Sequence, residues 1–536
     1  MHFLRSCVFN LARGVRLPNA QCIQTYSGEL PPIREKCSVR CTGKSVVLDT
    51  EMRSRGITYN SLSSQFEQYK PIHFSNNSYN MYAAIRTRVT MPLIDMDEEI
   101  SENFWSWRKL AFQRLLPRGV PDGDFLEWLK TSNSSPSMKA QYLRSYEKLR
   151  ACGQHRRLWV PAGELLRECK SKIHLKIENL LYRTPAGLKQ KSARAIFGCR
   201  PRLVVETAAW VKNATEALKS RWGIGSPIVY AGGMTGERAG QWADYKDYGL
   251  WYEDDVSKWD SSVSASLLNF FTQMAEYMGA PRRVLAYMRR SVKTIGRTSH
   301  GIRVKTPGGM KSGIPWTSLA NSLLNGFIHL YIYQREHGLT LNEALKEFRI
   351  LVMGDDSVIN CKRSTDFKNS MHLFGFKAET IKRDKLHHVG FCSAYFLPTK
   401  SGTVLVPNPV RVLMKFGTFH TLPPHMNYFE MVKGAAKSIY NSMCVWPAFA
   451  RELKAITRLE TFSKAWMKLY AATKNRIADW DIWNSKPVRL TSDGLVEWNR
   501  KFPGGLGEVL PFCFSRYGDF GTDGPSFFWS KSSYNL

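Results

Sequence analysis

Apolar residues recur at three- and four-residue intervals through SENFWSWRKLAFQRLL (101–116) and MKAQYLRSYEKLRA (138–151), with proline and glycine breaks between the two runs. That spacing predicts two amphipathic helices. Residues 1–90 show no such period; they are polar, basic and irregular, with turn-rich patches such as FSNNSYN. Across 246–395 short β-like runs alternate with helical segments, which predicts a mixed domain. After about residue 400 the pattern is mainly helical to about 483, and the chain closes on a glycine- and aromatic-rich tail, KFPGGLGEVLPFCFSRYGDFGTDGPSFFW. No internal repeat interrupts this order. The expected fold class is α+β.

One alternation stands out. FRILVMGDDSVINCK (348–362) places two apolar runs around Gly-Asp-Asp, the pattern of a tight hairpin with two carboxylates at its tip. Adjacent carboxylates repel, so the pair makes sense if a divalent cation lies between it and a third carboxylate. A second run, YGLWYEDDVSKWDSSVS, ends an aromatic strand-like stretch at Asp255 and reaches Asp260 five residues later. Asp254 precedes Asp255, so the metal-ligand register has two readings; the spacing to Asp260 favours Asp255. Next, GGMKSGIPWTSLANSLLNGFIHLYIY carries a loop with Gly308, Gly309 and Gly313 into a helix beginning near Trp316. Thr317 and Asn321 are four apart, hence on one helical face, and both types pair with a ribose hydroxyl or with Asp260.

Basic residues flank this set. PAGLKQKSARAIFGCRPRLVVET (185–207) reads as a strand-and-loop stretch holding Lys189, Lys191, Arg194, Arg200 and Arg202, cations suited to a triphosphate. FGFKAETIKRDK puts Lys377, Lys382 and Lys385 after the hairpin, and one of them is positioned to protonate a leaving pyrophosphate. Each feature has an ordinary alternative. Gly-Asp-Asp is a common turn, Asp260 with Ser261 and Ser262 is a good helix N-cap, and a basic strip is often a solvated face. Their fixed order in one basic chain is what argues for chemistry.

Composition narrows the field. The 536 residues are 43% hydrophobic and 12% aromatic, enough for a large core in several domain-sized units. The formal charge of +31 favours a polyanionic partner such as nucleic acid. An odd count of 11 cysteines argues for reduced thiols over a disulfide framework, and Cys37 and Cys41 lack a second pair for zinc. No apolar stretch approaches the ~20 residues of a membrane span, and no Gly-x4-Gly-Lys-Ser/Thr loop is present, which argues against a helicase. Residues 1–28 hold Arg5, Arg13 and Arg16 and no acid before Glu29, the pattern of a transit-like segment or of a basic arm on RNA.

From roughly 105 to 420 the chain resembles a viral RNA-dependent RNA polymerase of positive-strand, tombusvirus- and nodavirus-like type. DVSKWD resembles the first palm motif, SGIPWTSLANS the second and MGDDS the third. SARAIFGCRPR resembles the fingers motif that holds the incoming triphosphate, and GMTGERAGQWADY a segment between those basic residues and the palm. HHVGFCSAYF resembles the primer-grip hairpin, with Cys392 in the usual place. The resemblance implies a right-hand fold: a basic extension over 1–90, fingers over 91–245 with 270–308 contributing, palm over 246–395, thumb and tail over 396–536. It implies two Mg2+ or Mn2+ ions on Asp255 and Asp355, supported by Asp356. Asp260, Thr317 and Asn321 would read the ribose, Ser312 and Gly313 form a loop beside the template base, and Lys191, Arg194, Arg200 and Arg202 bind the triphosphate. Lys382, in competition with Lys377, would be the general acid. The implied partners are an RNA template, its product and nucleoside triphosphates, within a replication complex in the host cytoplasm at organelle membranes, mitochondria among them. Two alternatives are a reverse transcriptase or DNA polymerase, and a non-catalytic basic RNA-binding protein.

Overall fold

Both helices expected from periodicity form in the computed structural model, which describes residues 23–24, 26–41, 73–74, 76–176, 192–409 and 490–501 with a few positions between 412 and 440. Lys189, Lys191, the arginine-bearing start of the chain and most of 396–536, where the thumb is expected, lie outside the described residues. The helices include α1 (Ser78–Arg88), α2 (Glu98–Leu115), α3 (Pro136–Ala151), α4 (Pro201–Arg221), α5 (Gly236–Tyr245), α6 (Ala265–Tyr277), α7 (Thr317–Glu336) and α8 (Phe367–Leu373). In α2, Asp97 accepts from the Ile100 N–H at the first turn, and Ile100, Phe104, Ala111, Phe112 and Leu115 form the buried stripe. In α3, Ser135 caps and Pro136 occupies the first turn, where its missing N–H is harmless.

The first sheet has five strands. β2 (Ser38–Cys41), β4 (Lys170–Leu175), β5 (Ala195–Gly198), β8 (Lys293–Thr298) and β9 (Ile302–Pro307) lie in the order β2-β9-β8-β4-β5. β2 comes from the stretch expected to be an extension. It is instead an integral edge strand, because its backbone pairs antiparallel with the otherwise open edge of β9. Arg34 secures it by donating to the Pro307 carbonyl at 3.0 Å, and α1 packs Met81, Ala84 and Ile85 against Ile173, Phe197 and Val304. A short parallel pair, β1 (Ile23–Gln24) with β3 (His73–Phe74), comes from the same stretch. The basic 185–207 stretch also differs from its expected form. Among its described residues, 192–207, it is a strand only over β5; Val204 and Val205, β-branched and strand-like in sequence, belong to α4, where Leu203, Val204, Trp210, Val211 and Leu218 are buried at helical spacing.

The second sheet runs β12-β7-β11-β10-β6, built from β6 (Ile228–Tyr230), β7 (Leu250–Val256), β10 (Phe348–Met353), β11 (Asp356–Cys361) and β12 (Ala378–Arg383). Only the β6–β10 pair is parallel. The expected boundary at 246 therefore leaves one strand of this sheet upstream of it. Beneath the sheet, α6, α7 and α8 bury Phe270, Leu323, Phe327 and Phe367 against Ile350, Val352 and Ile359. Above it, α5 and a three-stranded sheet, β13 (Gly390–Phe391), β14 (Ala394–Thr399) and β15 (Gly402–Pro407), bring Trp242, Phe391 and Phe396 onto Trp251, Leu351 and Val358. That small sheet crosses the expected 395/396 boundary. Gly240 is where α5 meets β15 most closely: a Cβ there would lie 1.7 Å from the Thr403 carbonyl oxygen.

Candidate active site

The Gly-Asp-Asp turn is a two-residue hairpin. Met353 pairs with Asp356, leaving Gly354 and Asp355 as the loop, and Gly354 takes φ +67°, which glycine adopts without strain. Two buried side chains of α7 hold its backbone from below. Ser322 Oγ accepts from the Gly354 N–H at 2.8 Å, and Asn325 Nδ2 donates to the carbonyls of Gly354 and Asp355 at 3.1 and 3.0 Å. With the backbone tied down, both carboxylates are exposed.

β7 supplies Asp255. Successive side chains alternate across a strand, so Tyr252, Asp254 and Val256 face the helices while Trp251, Glu253 and Asp255 face the other way. Burial follows that split at the carboxylates: Asp254 is 3% exposed and Asp255 is exposed. Ser357 lies opposite Asp254 at the end of the β7–β11 pairing, so Asp356 and Asp255, the next residue on each strand, both belong to the upper face. On the other flank Glu379 of β12 is the register partner of Asp255, a further carboxylate that sequence reasoning missed. Cys392, on the turn between β13 and β14, points Sγ at Asp356 Oδ2 3.5 Å away, and burial together with Asp356 and Asp355 pushes its thiol up.

Past β7, Lys258 in the left-handed region (φ +57°) turns the chain into a single helical turn that carries Asp260. Asn321 Nδ2 donates to Asp260 Oδ1 at 2.7 Å, and Ser312 Oγ donates to Oδ2. Desolvation raises the Asp260 carboxyl above its ordinary value; the hydrogen bonds from Ser312 and Asn321 and the charge of Arg194 pull against it. Asp355 is raised as well. The cleft around its exposed side chain strips solvent from it, the Asp260 charge adds to the rise, and Arg194 opposes it. Arg194 thus sets a positive field over both carboxylates. The glycine loop is docked on β5: the Phe197 N–H donates to the Ser312 carbonyl at 2.9 Å, and a Cβ on Gly313 (φ +113°) would meet the Phe197 carbonyl oxygen at 2.9 Å.

The structure does not bring every expected residue here. Thr317 shares a face with Asn321, yet its hydroxyl lies within donating distance of the Lys311 and Ile314 carbonyls (2.8 and 3.0 Å), bracing the loop rather than meeting Asp260. Arg200 is exposed at the start of α4. Arg202 turns inward: its Nε is 2.8 Å from Glu164 and 3.6 Å from Glu206, in an ion cluster with Arg157, so its charge is already answered there. Lys382 is register partner of Tyr252 and donates to Ser364 Oγ at 3.3 Å. Two residues from Thr380, which donates to Asp254, it lies on the lower face, away from Asp255. Lys377 precedes β12, and its carbonyl accepts from the Ser257 N–H at 2.9 Å.

Sequence reasoning also stopped short along α7. Thr317, Asn321, Asn325 and His329 continue one four-residue ladder, and the last three are at most 3% exposed. A polar residue every fourth position inside an otherwise apolar helix was the available signal. Among the described residues no three carboxylate, imidazole or thiol side chains converge closely enough to enclose an ion. The donors are nonetheless all oxygen, and a magnesium ion that keeps its waters and takes phosphate oxygens from a substrate asks for only one or two carboxylates. The residues therefore fit such an ion.

Residues 142–416 match the family described as viral RNA-dependent RNA polymerase. The chain is 26% identical over 235 residues, 42% of its length, to the replicase polyprotein 1ab of Grapevine leafroll-associated virus 3 (isolate United States/NY1). It is 30% identical over 146 residues, 25% of its length, to the genome polyprotein of Theiler's murine encephalomyelitis virus (strain GDVII). The matched stretches span only 8% and 6% of those two polyproteins.

Proposed function

The chain belongs to the viral RNA-dependent RNA polymerase family, and on that premise we propose that it copies an RNA template into RNA by metal-assisted nucleotidyl transfer, replicating a viral genome. One observation carries the reading beyond family membership. Asp255 and Asp356 each lie just beyond the last residues paired between β7 and β11, on one face of the sheet, Asp355 tops the adjoining turn, and the Asp260–Asn321 pair stands close enough for Asp260 to raise the Asp355 carboxyl. Acids on neighbouring elements, with Arg194 acting on Asp260 and Asp355, suit a polyanionic substrate that arrives with cations.

In this proposal Asp255 and Asp355 hold two Mg2+ or Mn2+ ions, with Asp356 in support. When bound, such ions neutralise the attacking and leaving oxygens of an in-line phosphoryl transfer. The chain's own groups orient the rest. Asn321 fixes Asp260 so that its carboxylate accepts from a ribose 2′-OH. Arg194, with Arg200 and Lys191, binds the triphosphate through forked or point-charge contacts. The Ser312–Gly313 loop sits beside the template base. The general acid is assigned to Lys377 in place of Lys382, which lies on the lower face. Arg202 steadies α4 through Glu164 and Glu206.

We further propose the right-hand division: fingers around the β2-β9-β8-β4-β5 sheet, palm around the second sheet, thumb and tail over 396–536. The tombusvirus- and nodavirus-like grouping and replication at organelle membranes in the host cytoplasm belong to the same proposal. No helix among the described residues is long and apolar enough to cross a membrane.

The test is ribonucleotide incorporation on an RNA template, with Mg2+ or Mn2+, with and without primer. Metal-dependent product complementary to the template supports the reading. RNA binding without product in either metal would favour a non-catalytic RNA-binding protein. A clear preference for deoxynucleotides would favour a reverse transcriptase.

A further inference from the structure

Beneath the carboxylate row lies a polar contact that the chemistry above does not use. Asp254 is the neighbour of Asp255 but faces the opposite side of β7. Its Oδ2 is 3.3 Å from His329 Nε2, a close polar contact short of a hydrogen bond between two fully buried side chains. Thr380 of β12 donates to the other oxygen, Oδ1. On the far side of the ring, His329 Nδ1 lies 3.0 Å from the Asn325 carbonyl, and Asn325 is the residue whose side chain holds the Gly354 and Asp355 carbonyls. Phe367 closes the ring plane at 5.5 Å.

We propose that Asp254 and His329 are positioning residues that hold Asp255 in register with Asp355. The inference rests on the polymerase reading for what the positioned carboxylates do. Three elements, β7, β12 and α7, meet at this one contact, and one turn earlier the same helix fixes the Asp355 turn. Apolar side chains would fill the space as well: Tyr252 and Val256, on the same face of β7, join the apolar core. A buried carboxylate is expensive unless paired, and a well-packed apolar pair is often the more stable choice. What polar partners add is direction: Thr380 donates to Asp254 Oδ1, and His329 Nδ1 meets the Asn325 carbonyl. Apolar contacts let a strand slide over a helix, whereas side chains tied on both sides of the contact resist that slide. Asp254 and Asp255 are adjacent, so a shift of β7 moves both, and displacement of a catalytic group by about 1 Å can slow a reaction about a hundredfold.

Four variants test this: Asp254→Asn, His329→Leu, Thr380→Val, and the double Asp254→Leu/His329→Leu, which removes both polar groups of the contact together. Each is measured by thermal melting, by Mn2+ binding to the metal-free protein followed by electron paramagnetic resonance, and by kcat and KM for a nucleoside triphosphate on primed RNA. His329→Leu is expected to lower kcat about tenfold or more and to weaken Mn2+ binding several-fold, with KM within about twofold of wild type. Asp254→Asn and Thr380→Val follow in the same direction, less far. The double variant melts above His329→Leu yet keeps both defects. Wild-type kcat and Mn2+ binding in the double variant would show a replaceable core contact and overturn the inference. If His329→Leu does not fold, Thr380→Val, which loses one hydroxyl, decides in its place: unchanged Mn2+ binding overturns the inference. A wild-type protein that incorporates no nucleotide would instead overturn the polymerase reading, and Mn2+ binding would still report on the tie.

Discussion

Asn321 Nδ2 donates to Asp260 Oδ1 at 2.7 Å, joining the first turns of a buried helix to the loop that follows strand β7. With Ser312 of the glycine loop donating to the other oxygen, the bond holds the Asp260 carboxylate in one orientation. Asn321→Ala should therefore loosen the choice between ribose and deoxyribose more than it weakens template binding. A hydrogen bond to a charged group is worth about 1.5–3 kcal/mol, so the ribo/deoxy incorporation ratio should fall about tenfold or more. Parallel incorporation of a ribonucleotide and its deoxy counterpart measures it; an unchanged ratio would remove Asn321 from the role.

Lys311 bears a cation with nowhere to place it. It is 2% exposed, its Nζ has no hydrogen-bond partner among the described residues, and burial pushes the amine down to about 8 against weak help from Cys169 and Cys199. A lysine with a lowered folded-state value binds fewer protons folded than unfolded, so stability rises with pH between about 8 and the ordinary lysine value. Lys311→Met should accordingly stabilise the protein at pH 7, by roughly 2–3 kcal/mol, and the gain should shrink above pH 8. Denaturant melts at pH 7 and pH 10 decide it; an equal difference at both would be contrary.

How far the sequence revealed the site depended on whether its signal was local. The Met353–Asp356 hairpin, the Asp255-to-Asp260 spacing and the Thr317/Asn321 face are short-range patterns, and the structure builds each as an element. The Asp355 turn's supports, Ser322 and Asn325, were hidden because a polar residue in an apolar helix shows its use only once the partner strand is known. Arg202 and Lys382 were misplaced for a related reason. Charge density marks a basic strip, but strand parity and the acids at Glu164 and Glu206 decide which cations face substrate. Ser38–Cys41 escaped notice because an edge strand needs no hydrophobic period when the other partner, β9, is far away in sequence.

Gly240 tests the packing above the sheet. A Cβ would lie 1.7 Å from the Thr403 carbonyl oxygen and 3.0 Å from Val404 Cα, both backbone, so neither can rotate away. Gly240→Ala should separate α5 from β15 and cost about 3 kcal/mol or more, despite alanine's better helix propensity. Chemical denaturation reads the change directly; a neutral or stabilised variant would mean the two elements sit further apart.

The raised carboxyl of Asp355 carries a stability sign. A carboxylate raised on folding penalises the folded state once it ionises, and the penalty vanishes as pH falls below the unfolded value. Asp355→Asn should therefore raise the melting temperature of the metal-free protein at pH 7–8, with no gain under strongly acidic conditions. Added Mg2+ should narrow the difference by stabilising the wild type alone. Thermal melts with chelator and with Mg2+ give the comparison, and a destabilised Asn variant in chelator would contradict it.

The central claim is that Asp355 serves metal-dependent nucleotide addition and not RNA binding. The most direct measurement is primer extension on an RNA template by wild type and Asp355→Ala, with RNA affinity taken on the same preparations. Loss of one charge from a chain at +31 should scarcely change the salt-dependent affinity. The account predicts product from wild type only with Mg2+ or Mn2+, none above background from Asp355→Ala, and RNA binding within about twofold of wild type. Near-normal product from Asp355→Ala would contradict it.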